Sequence, residues 1–382
     1  MKRFFLIISI VLVFISCDFN FSGKKDKSED DPAVIERWKY CLRYDNNRWN
    51  KAIGPEYIEM AFIAAREADP QAKLFYNDYN LNNQYKAQAV YRMVKDINSR
   101  YPNVKGRKLI DGIGMQSHHH INTNPKTVED SIILFASLGV DVVISEMDIM
   151  AAGEIGNSPS IPWDDNAKTK QADVYKSMFE IFLKHSSKIS RVTFWGIDDG
   201  TSWRKNNYPT LLDKDYGLKP AFFAVAGKTI NNDTWNTAES LYKIHEKNFF
   251  TGNVISPDDL NNTTRFNILK RHYNTVTAEN HMKPDYIAPY SKPSGDNWIY
   301  RFSDADKIVN AANAAGMKVV GHTLVWHSQT PQWLTEGDKK TVVYNLNKYV
   351  TDVSAYFKGR LISWDVVNEA IRDGLTANDV NY

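Results

Sequence analysis

Short runs of β-branched and aromatic residues alternate along the chain with longer amphipathic stretches whose apolar positions recur at helical spacing. Alternation of the two periods is the signature of a parallel α/β architecture. Eight runs read as strands: Lys73–Tyr76, Ile110–Met115, Asp141–Ser145, Val192–Trp195, Phe249–Val254, Asn274–Thr277, Met317–Gly321 and Leu361–Val367. Eight strands with helices between them fit a (β/α)8 barrel. Gly54-Pro55 opens a helix with apolar positions at Tyr57, Ile58, Ala61, Phe62 and Ala65, and Pro70 stops it. Ser303, with Asp306 three residues on, reads as a capping box, and Gly316 ends that helix before the seventh strand. Gly139 plays the same part ahead of the third. The polar stretch Lys228–Ser240 follows neither period and reads as a linker.

The N-terminus follows a different pattern. Lys2 and Arg3 precede an apolar run from Phe4 to Ile15, then Ser16 and Cys17. That run is too short to span a bilayer comfortably and reads as the core of a signal peptide. A small residue before Cys17 resembles a bacterial lipobox, whose cysteine becomes the lipidated first residue. The expected organisation is a signal peptide over residues 1–17, a charged tether over 18–31 and one folded domain over 32–382. An acylated Cys17 leaves only Cys41, so no intrachain disulfide is expected. An exported lipoprotein of the bacterial cell envelope, held at the membrane by that lipid, is the expected location. The formal charge of +2 gives no reason to expect nucleic acid as a partner, and a monomer is expected. Ten Trp and twenty Tyr suit both a large core and a sugar-stacking cleft.

In such barrels functional groups sit at the C-terminal ends of the strands. Seven of the eight runs end in polar or aromatic clusters. In chain order these are Asn77-Asp78-Tyr79-Asn80, Gln116-Ser117-His118, Glu146-Met147-Asp148, then Trp195 with Asp198, Asp199 and Trp203. Glu279-Asn280 with Lys283 follows, then His322, Trp326, His327 and Gln329, and finally Asn368-Glu369. Two carboxyls brought to one barrel mouth can divide the work between a nucleophile and a proton donor. Glu146 and Glu369, each ending a β-branched run, are the candidates.

Gly321-His322-Thr323-Leu324-Val325-Trp326-His327-Ser328-Gln329-Thr330-Pro331 resembles the third-strand signature of family 10 glycoside hydrolases, the endo-1,4-β-xylanases. Asp365-Val366-Val367-Asn368-Glu369 is similar to that family's acid/base motif, and Ser145-Glu146-Met147-Asp148 to its nucleophile motif. The resemblance covers nearly all of residues 35–382. It implies endo-acting, retaining cleavage of xylan with Glu146 as nucleophile and Glu369 as acid/base. By the same resemblance, His118 orients the nucleophile and Asn368 meets the sugar's 2-hydroxyl. Glu279, Asn280 and Lys283 would hold the sugar two subsites from the cut, with His322, Trp326, Gln329, Trp195 and Trp203 shaping the glycone side. Gln116 belongs to the motif that carries His118. Asn77 and Tyr79 would lie toward the aglycone. No cofactor or metal is implied. Asp198 departs from the family, which usually has Thr there.

The family's motifs occur here in rotated order, so the chain runs through the family's strands 5-6-7-8-1-2-3-4. The resemblance therefore implies a circularly permuted barrel. Its old ends would be joined near 228–240, and Asp373–Tyr382 would lie beside Pro32–Asn50. A fusion of two truncated neighbours, or a fragment that swaps halves, is the competing account. Two other function classes remain open at this stage. One is a metal-dependent hydrolase using His118-His119-His120, although neighbours on a strand point to opposite faces and His119 reads as a surface or subsite residue. The other is a carbohydrate-binding protein without activity.

Overall fold

The computed structural model describes residues 36–154 and 160–380. The segments expected to be signal peptide and tether, with Cys17, lie outside the described residues. Nine strands form: β1 Lys73–Asp78, β2 Gly112–Met115, β3 His118–His120, β4 Asp141–Met150, β5 Ile189–Phe194, β6 Phe250–Ile255, β7 Thr275–Ala278, β8 Lys318–Trp326 and β9 Ser363–Asn368. All pairings among them are parallel, and β2 pairs with β4 while β1 pairs with β9. The result is a closed eight-stranded barrel, with the three-residue β3 laid against the end of β4. All eight expected strands are present. The ninth is too short and too polar to show a strand period.

Helices connect and cover the strands, as parallel pairing demands. Gln84–Arg100 follows β1, Pro125–Ala136 follows β3, and Asp165–Lys184 follows β4. Thr263–His272, Ser303–Ala314 and Lys339–Tyr356 follow β6, β7 and β8. Side chains of Asn83, Asn124, Asp164, Asn262 and Asp338 accept first-turn N–H groups and set where these helices leave the barrel mouth. The capping box expected at Ser303 does not form. Phe302 already has helical backbone angles and its ring stacks on Tyr356, 3.7 Å between centroids, so the helix starts one residue early. Asp306 instead pairs with Arg360 at 2.7 Å. A capping box does form at Ser256 and Asp259, just beyond β6.

Inside the barrel, bulky side chains of one strand fill gaps left by glycines on the next. A Cβ on Gly321 would stand 2.2 Å from the Trp364 ring, and one on Gly112 would stand 2.3 Å from Phe75. Arg191 on β5 crosses the interior to donate to Ser363 Oγ on β9 at 3.1 Å.

The two ends of the described chain meet beside the β9–β1 seam. Leu42 and Ile371 form an antiparallel bridge, Arg43 N–H donates to Ala370 O at 2.8 Å, and Arg37 reaches Asn378 O at 3.2 Å. Helix Tyr57–Ala68, ahead of β1, packs near β9 and Lys339–Tyr356 and supplies cover where no connection crosses. Residues 229–239 contain no helix or strand but are tied down. Arg271 donates to Ala238 O at 2.6 Å, and His272 Nε2 lies 2.6 Å from Trp235 O.

Candidate active site

The C-terminal ends of the strands surround a cleft of about 510 Å³. It is lined by Tyr79, Gln116, His118, Glu146, Trp195, Trp203, Glu279, Asn280, Lys283, His322, Trp326, Gln329, Asn368 and Glu369, together with Asn80 and Arg204. Every residue to which the resemblance gives a role, except Asn77, therefore borders one cavity. Asn77 lies just beneath, fully buried. Asn80, Ser117, Gln329 and Glu369 have φ of +53°, +62°, +38° and +57°. Left-handed backbone in non-glycine residues is uncommon and gathers where surrounding structure re-aims side chains. Here it turns strand ends sharply at the cleft.

Glu146 ends the straight part of β4. Its Oε1 accepts from Asn77 Nδ2 at 2.7 Å, and its Oε2 lies 3.3 Å from His118 Nε2. The other ring nitrogen of His118 is 3.0 Å from Asp148 Oδ2. Asp148 in turn accepts from Trp203 Nε1 at 2.9 Å and from Arg204 Nη1 at 3.2 Å. His322 Nδ1, bonded to Asp365 at 3.0 Å, stands 4.0 Å from the inner oxygen of Glu146. Burial alone would raise the Glu146 carboxyl. The His322 and His118 imidazoles and the Asn77 amide outweigh it and hold the group below its ordinary value. His118 is affected oppositely: burial would lower it, yet Asp148 and Glu146 push it up to about 9.

Glu369 follows β9. Gln116 Nε2 donates to one of its oxygens at 2.9 Å, and Trp326 Nε1 donates to the other at 2.9 Å. Burial raises its carboxyl, and the negative charges of Asp78 and Glu146 add to that against the two hydrogen bonds. The two glutamates are thus pushed apart in proton affinity, one toward the anion and one toward the acid. Asn77 Nδ2 also donates to Asn368 Oδ1 at 2.8 Å, and Gln116 Nε2 lies 3.3 Å from the same oxygen. These three amides link the carboxylates into one network.

On the β7–β8 side, Lys283 Nζ donates to Asn280 Oδ1 at 2.9 Å and sits 4.9 Å from the Trp326 ring centroid. Gln329 donates to the same Asn280 oxygen at 3.3 Å. Burial raises the Glu279 carboxyl and lowers the Lys283 ammonium.

Three side chains differ from the sequence reading or escape it. His119 is not a surface residue: it is 4% exposed, because β3 lies against β4 and its face away from His118 is covered. Burial depresses its imidazole to about 3. Asp198, the departure from the family pattern, accepts from Gly200 N, Thr201 N and Thr201 Oγ1 at 2.8–3.0 Å. It pins the turn that presents Trp203 and Arg204. Arg204 is the residue the sequence does not signal; only its place next to Trp203 marks it. Among the described residues no group of three His, Cys, Asp or Glu is placed to hold a metal ion.

Comparison with known proteins follows the same lines. The model of glycosyl hydrolase family 10 matches residues 33–228 and 240–380. Endo-1,4-beta-xylanase A of Thermotoga maritima is 41% identical over 187 residues, 48% of this chain and 17% of that protein. Endo-1,4-beta-xylanase A of Thermoanaerobacterium saccharolyticum is 44% identical over 182 residues, 47% of this chain and 14% of that protein. The matched stretch is thus under a fifth of either relative's length. Among solved structures, a bacterial Ig-like domain containing GH10 xylanase from termite gut aligns with a TM-score of 0.45 at 33% identity, over 49% of this chain and 44% of that one.

Proposed function

This chain belongs to glycosyl hydrolase family 10, and from that premise we propose that it cleaves internal β-1,4-xylosidic bonds of xylan with retention of configuration. The observation that carries the reading is a pair of glutamates, Glu146 buried within β4 and Glu369 half-buried just after β9, tied by Asn77, Asn368 and Gln116 and driven to opposite proton affinities. The relatives' names as endo-1,4-beta-xylanases support xylan as the substrate, and family membership supports the retaining course.

In the first step the Glu146 carboxylate attacks the anomeric carbon while Glu369 gives its proton to the departing glycosidic oxygen. A glycosyl ester on Glu146 and a shortened chain with a new hydroxyl result. Glu369, now a carboxylate, takes a proton from water, whose oxygen attacks the anomeric carbon and frees Glu146. His118, backed by Asp148, Trp203 and Arg204, keeps the nucleophile oriented. The Lys283, Asn280 and Gln329 cluster offers donors and acceptors to a glycone sugar two positions from the cut.

Circular permutation is part of the same proposal. It is supported by the family match breaking at residues 229–239, by relatives aligning over 47–48% of the chain, and by the meeting of the chain ends beside β9 and β1. Export as a lipoprotein acylated at Cys17 is also proposed, on the sequence alone. Labelling cells with a radioactive fatty acid tests it: label in the wild type and none in Cys17→Ala is expected, and equal label in both refutes it.

Incubation with xylan and measurement of new reducing ends tests the activity. Release of short oligosaccharides, insensitive to chelator, is expected. Binding without release contradicts the proposal.

A further inference from the structure

Tyr79 borders the cleft at the end of β1, and groups from both ends of the chain hold it. Its hydroxyl accepts from Arg43 Nη2 at 2.7 Å and donates to the Asp373 carboxylate. Lys86, 1% exposed, sets its ammonium 3.7 Å from the centroid of the Tyr79 ring and 3.0 Å from Asp373 Oδ1. A tyrosine at a cleft rim ordinarily loses side-chain entropy when a sugar stacks on it. Here the hydroxyl's proton and a lone pair are both committed, and an ammonium covers one ring face. The ring is thus held in one orientation where it borders the cleft, before any ligand arrives.

Arg43 and Asp373 do not themselves line the cleft; they stand 3.8 Å apart behind Tyr79, with Asp373 also bonded to Lys86 and, at 3.5 Å, to Asn80. Arg43 precedes β1 and Asp373 follows β9, so the cluster exists only when the two chain ends dock through Leu42–Ile371 and Arg43–Ala370. β1 neighbours β9, which leads into Glu369, and lies away from β7, beyond which Glu279 and Asn280 gather.

We propose that Asp373 is a positioning residue that fixes Tyr79 as the stacking platform for the sugar on the leaving-group side, making aglycone binding depend on the docked chain ends. This rests on the glycosidase reading. It predicts a split between substrates that carry aglycone sugars and those that do not.

The test compares kcat/KM on xylopentaose with kcat/KM on an aryl β-xylobioside, whose leaving group contains no sugar. In Asp373→Ala the loss of a charge-assisted hydrogen bond is expected to cost about tenfold on xylopentaose. The aryl substrate should change less than about twofold, since Asp373 touches neither glutamate. Arg43→Met repeats the comparison if Asp373→Ala does not fold. Equal effects on both substrates, or none on either, overturn the inference. Wild-type protein inactive on both substrates overturns the glycosidase reading and this inference with it; an active wild type with indifferent variants overturns only the latter.

Discussion

Glu146 and Glu369 are both carboxylates, and their neighbours alone distinguish them. On the proposed mechanism, protonating Glu146 removes the nucleophile and deprotonating Glu369 removes the acid, so kcat/KM is expected to be bell-shaped in pH, with the limbs belonging to the coupled pair. His118 helps hold Glu146 ionised, so His118→Asn should move the acid limb to higher pH. An unmoved limb counts against that role. Either glutamate changed to Ala should lose on the order of 10⁴-fold or more in kcat on xylan. With azide and an activated aryl glycoside, Glu369→Ala should yield the β-glycosyl azide through the ester on Glu146, whereas Glu146→Ala should yield the α-azide by a single displacement. The reverse assignment of products counts against the roles. These two residues are legible in the sequence because each ends a β-branched run inside a long motif. The chain of groups behind His118 is only partly so. Asp148 is visible two residues from Glu146, but Arg204 lies far along the chain and meets it only through the turn pinned by Asp198. His119 was misleading because exposure on a three-residue strand is decided by what packs over it, not by local pattern.

At the scale of elements, strands are the readable part. Their apolar runs are largely buried, and all eight barrel strands overlap runs visible in the sequence, although β4 and β8 continue five residues beyond the expected ends. Helix starts are less readable, as Ser303 shows: a ring stack between Phe302 and Tyr356, distant in sequence, outweighs a local capping pattern. Strand pairing also depends on glycines that no local rule flags. Gly321→Ala would drive a methyl into Trp364, across the β8–β9 pairing that carries His322 and leads to Glu369. It is expected to destabilise the fold by about 1–3 kcal/mol, read as a lower melting temperature. A melting temperature equal to wild type would mean that the two strands are less tightly apposed than described.

For the molecule as a whole, a closed barrel does not care where its chain begins, provided every strand keeps its neighbours. A rearranged gene that joins residue 380 to residue 36 by a short linker and opens the chain within 229–239 should give a folded protein with activity close to the original. An unfolded product would show that the present ends are needed for folding. The rotated motif order is a reading of the sequence and belongs to the proposal; the ordering of 229–239 against Arg271 and His272 has no sequence signal, because its polar residues carry no period. On the proposed mechanism the same closure lets two acidic groups more than 200 residues apart in the chain serve one sugar bond. Treatment with a 2-deoxy-2-fluoro xylobioside bearing a dinitrophenyl leaving group, followed by peptide mass spectrometry, examines this most directly. The fluorine slows turnover so that the ester accumulates, and the account predicts one xylobiosyl adduct, carried by Glu146. An adduct on any other residue, or substrate consumed with inversion and no adduct, would contradict it.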